Sequence, residues 1–142
     1  MSDSYIVEED VFSRLSQNQL IQLTDDDKVG AVNLNHVARA ISEASSLVSG
    51  YVASRYSLPI VPVPMLLKTI TLSITTYNLY LRRQRVPDDV RQTYEDGIKQ
   101  LEGIAKGLIS LGVDPPPAGS PASQGELLTN ESDWSRDKLS GF

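Results

Sequence analysis

"MLLKTITLSITTYNLYLRRQR", Met65 to Arg85, decides the fold. Leu66, Ile70, Ile74, Tyr77 and Leu81 recur at steps of three and four, the period of one helix face. Leu67, Leu72, Leu79 and Tyr80 place further apolar surface off that face. A helix apolar on several sides belongs in the middle of a bundle or against a neighbour. Arg82, Arg83 and Arg85 stand at its C-terminal end, where cations suit the helix dipole. They are read as a solvated helix end, and Pro87 stops the pattern.

Upstream lies "RYSLPIVPVP", Arg55 to Pro64. Its prolines forbid a helix and push the residues before them into extended conformations. Leu58, Ile60, Val61 and Val63 keep it apolar, so it reads as a packed loop, with Pro64 suited to open the next helix. Before it, Val37, Ile41, Ala44, Val48 and Val52 form the stripe of an amphipathic helix over 35–55, which Tyr51 widens. Gly50 lies inside that helix, which predicts a close approach of a second helix there. Downstream, Val90, Tyr94, Ile98, Leu101, Ala105 and Leu108 predict a third long helix over 88–111, with Asp88 and Asp89 at its favourable start and Gly112 as its cap. Near the N-terminus, Val11, Phe12 and Leu15 share helical spacing behind Glu8, Glu9 and Asp10, and "NQLIQL" predicts a second short helical turn.

The acidic run in "LTDDDKVGAV", Leu23 to Val32, resembles the front of a calcium-binding loop. Such a loop needs oxygen ligands at alternate positions and a bidentate carboxylate at its twelfth. With Asp25 first, Asp27 and Gly30 fit, but Val29 and His36 fall where oxygens are required. The reading is therefore a turn between two helices, with Val32 resting on the core and Asn33 or Asn35 capping the helix that follows.

The chain has 142 residues, 40% hydrophobic, and a net charge of −5. That is enough for one modest core and lacks the basic footprint of a general nucleic-acid binder. No apolar run approaches the ~20 residues of a membrane span, and the acidic N-terminus does not read as a secretion signal. The chain has no cysteine, which excludes disulfides, thiolate zinc sites and cysteine nucleophiles. His36 is the only histidine and reads as a first-turn helix residue. Adjacent carboxylates such as Glu8–Glu9 and Asp88–Asp89 do not face one another on a helix. No phosphate loop, dinucleotide fingerprint or nucleophile elbow occurs. Catalytic, cofactor and metal residues are therefore expected to be none, and an enzyme is not expected.

From Val113 the chain turns rich in Pro, Ser, Gly and Ala, the composition of a linker. It ends in "DWSRDKLSGF", where Trp134, Leu139 and Phe142 are apolar anchors beyond the linker. The expected fold is all-α: a small helical bundle over 1–112 with a packed proline-rich loop, then an extended C-terminal arm over 113–142. Trp134, Arg136, Leu139 and Phe142 are expected to dock on an adjacent subunit or on another protein.

Five stretches together carry a family resemblance: "IQLTDDD", "VSGYVASRYSLPIVPVPMLLK", "YNLYLRR", "RQTYEDGIKQLEGIAKGLISLG" and "WSRDKLSGF". They resemble small virion proteins of Mu-like phages and prophages, similar to the helical head–tail connector, adaptor or head-completion proteins of tailed phages. The most specific part is the block from Gly50 to Lys68. Some relatives carry a fuller acidic loop where this chain has Lys28 and Val29. The resemblance implies a ring of about twelve copies in the virion neck, between the portal protein and a tail or tail-completion protein. DNA would pass through the ring without sequence-specific binding. It places Tyr51, Arg55 and Tyr56 at subunit or partner interfaces. The alternatives are a tail-completion protein of the same virion, or a small helical regulatory or calcium-binding protein.

Overall fold

The computed structural model describes residues 4–112, and the arm with Trp134, Arg136, Leu139 and Phe142 lies outside the described residues. The described chain is all-α. Its helices are α1 (Glu8–Arg14), α2 (Gln17–Thr24), α3 (Leu34–Val52), α4 (Met65–Leu81) and α5 (Asp88–Ala105).

Two cores share α3 and α4. The first joins Val48 and Val52 from the end of α3, Leu67 and Ile70 from the start of α4, and Leu101 and Ile104 from the end of α5. That pairing of ends makes α3, α4 and α5 an antiparallel up-down-up set. The second joins Val37 and Ile41 at the start of α3 and Leu79 at the end of α4 to Val11, Leu15, Leu20 and Leu23 of the α1–α2 region. Each such buried aliphatic side chain stabilises the fold by roughly 1.5–3 kcal/mol. Tyr5 and Ile6 are also buried. The Tyr5 hydroxyl lies 2.8 Å from Ser49 Oγ, which fastens the N-terminal segment to α3.

α4 is central, but its buried face is not the aliphatic stripe alone. Thr71, Ser73, Thr75 and Thr76 are buried while Leu81 is 48% exposed. These hydroxyls tolerate burial because each donates to a carbonyl four residues back: Thr71 to Leu67 at 2.7 Å, Ser73 to Thr69 at 3.1 Å, Thr75 to Thr71 at 2.8 Å and Thr76 to Leu72 at 2.9 Å.

α5 ends earlier than its hydrophobic spacing predicts. Gly107, at φ +81°, closes it at Ala105. Leu108 N–H donates to the Gly103 carbonyl at 2.8 Å and Gly107 N–H to that of Ile104 at 3.1 Å, the paired bonds of a Schellman cap. Leu108 is consequently turned out to solvent and Ile104 takes the core position. Gly50 also departs from expectation, for a Cβ there would meet nothing within 4 Å. The close approach is at Gly103, where an added Cβ would stand 2.7 Å from Ile109 Cδ1.

Candidate functional site

The acidic turn after α2 is a small electrostatic machine. Asp25 caps its own loop, its carboxylate accepting from Val29 N–H at 2.9 Å and Gly30 N–H at 2.7 Å. Those backbone donors, Val29 first, lower its pKa below the usual 3.8. Lys28 at φ +58° and Gly30 at φ +82° complete the reversal. Thr24 joins the turn to the next helix: its buried hydroxyl donates to Leu20 O at 2.7 Å and accepts from Asn33 N–H at 2.9 Å. Asn33 in turn caps α3, its side chain accepting from Asn35 N–H at 3.0 Å.

Asp26 reaches across the fold. Its Oδ2 accepts from Arg82 Nη2 at 2.6 Å and its Oδ1 pairs with Arg83 Nη2 at 2.9 Å. His36 Nε2 stands 3.1 Å from Oδ2. The Arg82 hydrogen bond, then the charges of Arg82, Arg83 and His36, hold the Asp26 pKa below its usual 3.8. The same arginines donate to carbonyls of the last turn of α2: Arg82 to Leu23 at 2.5 Å and Arg83 to Gln22 at 3.1 Å. Helix-end carbonyls lack intrahelical partners, and cationic side chains are suited to meet them. Arg82 and Arg83 are therefore not a merely solvated helix end. They clamp α4 to α2, a pairing of side chains 56 residues apart that no local pattern announces.

The opposite end of the bundle gathers the end of α3, the proline loop, the start of α4 and the end of α5. Tyr56 and Ile60 are buried there, and the Tyr56 hydroxyl accepts from Leu111 N–H at 3.3 Å. Tyr56 thus works inside the bundle, with little of it left for a partner to touch. Arg55 is half-buried, and its guanidinium lies 2.9 Å from where a Gly107 Cβ would be. Tyr51 is half-buried against the first core. Further along the bundle, Tyr77 and Tyr94 stack across α4 and α5 with ring centroids 3.9 Å apart. Burial, then electrostatic repulsion from Tyr77 and Tyr51, raise the Tyr94 pKa.

The proline loop is packed only in part. Val63 rests on the core with Ile60, but Val61 is 80% exposed and Leu58 36%. Met65 and Leu108, at 72% and 79%, add exposed apolar surface at the same end. Their exposure is the feature that spacing could not foretell, since it depends on the Gly107 turn and on the loop's path.

Comparison with known proteins supplies the lineage. The family profile described as "Bacteriophage Mu, Gp36" matches residues 5–129. The chain belongs to the phage Mu Gp36 family. Gp36 relatives of similar length include "Mu-like prophage FluMu protein gp36" of Haemophilus influenzae, 30% identical over 139 residues that span 97% of both chains. "Gene product J" of Escherichia phage Mu is 29% identical over 131 residues, 92% of this chain and 91% of that protein. The Gp36 family match reaches from Tyr5, which packs on α3, across the whole described bundle.

Proposed function

We propose that this Gp36-family chain is a non-catalytic structural protein of the virion, a head–tail connector that assembles as a ring in the neck. One face of the ring would meet the portal protein, the other a tail or tail-completion protein, and DNA would pass through its channel. The observation that carries the reading is the exposed apolar end formed by Val61, Met65 and Leu108. Large apolar side chains left in water on adjoining segments are typical of surfaces that other proteins cover. Family membership supports a phage setting, and the compact bundle with a rigid clamp at its far end supports a building block.

The test is assembly and particle morphology. Purified protein examined by electron microscopy should form closed rings, and phage lacking the gene should accumulate unjoined heads and tails. A persistent monomer, together with normal joined particles from the deletion phage, would refute the connector reading. Rings formed while the defect lies in tails alone would favour the tail-completion alternative.

A further inference from the structure

The end of the bundle that carries Val61, Met65 and Leu108 has a second property. No Asp or Glu occurs between Glu43 and Asp88. This end holds three cations, Arg55, Lys68 and Lys106, and the nearest carboxylate on α5 is Glu102, just before the helix closes. Arg55 and Lys106 stand beside the C-terminal ends of α3 and α5, where cations suit the dipole. That accounts for two of the cations but not for the lack of carboxylates over 44–87 in a chain of net charge −5.

The segment that follows is its chemical complement. Residues 113–142 hold five carboxylates (Asp114, Glu126, Glu131, Asp133 and Asp137) against two cations, Arg136 and Lys138; within 130–142 the balance is three against two, with Glu131 and Asp133 directly before Trp134 and both cations after it. They also hold the only tryptophan, Trp134, with Leu139 and Phe142 nearby. The chain leaves the bundle at this very end, for Leu111 N–H is tied to Tyr56 and Leu108 lies just before it. A random coil of as many residues as separate Gly112 from Trp134 spans about 26 Å on average, close to the length of α3 at ~1.5 Å per residue. A tether of that length gives the anchors an effective concentration on the order of millimolar at the surface from which they depart.

We propose that the carboxylate-poor apolar end is a receptor for the chain's own acidic, tryptophan-bearing segment around residues 130–142, which covers Val61, Met65 and Leu108. The inference does not depend on the protein's place in the particle. It makes the exposed end a surface that is occupied within one molecule and freed only in exchange for another partner.

Trp134 reports on its own docking, being the only tryptophan. In the full chain at dilute concentration, its emission should be blue-shifted, and acrylamide should quench it several-fold less than a free peptide of residues 130–142. Val61→Asp and Met65→Asp alter side chains already in solvent, so helical circular dichroism should be unchanged. Each should return Trp134 to peptide-like quenching, and Lys68→Glu should do so in part. Peptide-like quenching in the unaltered chain, or protection that survives both aspartates, overturns the proposal. Protection that appears only as protein concentration rises would assign the site to a second copy's segment and overturn the intramolecular docking. Binding of a DNA duplex that Lys68→Glu abolishes, with Trp134 exposed throughout, would assign the end to nucleic acid instead.

Discussion

Asp25 and Asp26 are adjacent and do different work. Asp25 shapes its own loop through Val29 and Gly30 N–H, whereas Asp26 ties α2 to α4 through Arg82 and Arg83. Both carboxylates are more acidic in the folded chain than their usual 3.8. Their ionised forms therefore add stability that is present above pH 3.8 and is lost as pH falls through the lower folded values. The thermal midpoint should fall as the pH is lowered below about 4, and Asp26→Asn should flatten that dependence while lowering the midpoint at neutral pH. An unchanged acid profile in Asp26→Asn would show that the arginine clamp contributes nothing. The effect should shrink in high salt, since these groups face solvent. Calcium is a second test at this scale. Asp25 already spends both oxygens on backbone donors, and Val29 and His36 sit where a hard cation needs oxygen. Calorimetric titration should show no micromolar calcium binding, and a signal abolished by Asp25→Ala would overturn that.

The helices show which parts of the structure were legible in the sequence. The stripe Val37, Ile41, Ala44, Val48 and Val52 is buried throughout, because residues at the 3.6-residue period share one helix face and α3 turns that face to both cores. Ile74 on α4 is likewise 1% exposed; Ile74→Ala should cost about 2–5 kcal/mol, read as a lower thermal midpoint. The same reasoning failed at Leu108 and Leu81, where the period continues but the chain geometry does not. Glycines were the least legible, since one letter serves opposite purposes. Gly107 holds φ +81° against Arg55, so Gly107→Ala should destabilise by about 1–2 kcal/mol. Gly50 is in open space within a helix, so Gly50→Ala should stabilise by about 0.5–1 kcal/mol. Chemical denaturation of the two variants should move in opposite directions; matching shifts would contradict these assignments.

At the scale of the whole molecule, the described residues have two cores but two shared helices. Leu20 belongs to the α1–α2 core and Leu101 to the other, and both are fully buried. Because α3 and α4 run through both, Leu20→Ala and Leu101→Ala should each lower one common unfolding transition by about 2–5 kcal/mol. Separate transitions for the two would mean that the α1–α2 end melts independently. The bundle class was readable because long apolar periods leave few other architectures open. The exposure of single side chains was less readable. Tyr51, Arg55 and Tyr56 proved to be woven into the bundle end, while Val61 and Met65 beside them face solvent.

The hydroxyl ladder of α4 has a mechanical consequence. Thr71, Ser73, Thr75 and Thr76 spend their protons on their own helix, so their bonds travel with α4 when it moves. Against α3 and α5 these hydroxyls donate no bond, so the fit of α4 there rests on the shape of neighbouring side chains. Side-chain bonds from α4 to another helix stand, among the described residues, at its C-terminal tip, where Arg82 and Arg83 grip α2 and Asp26.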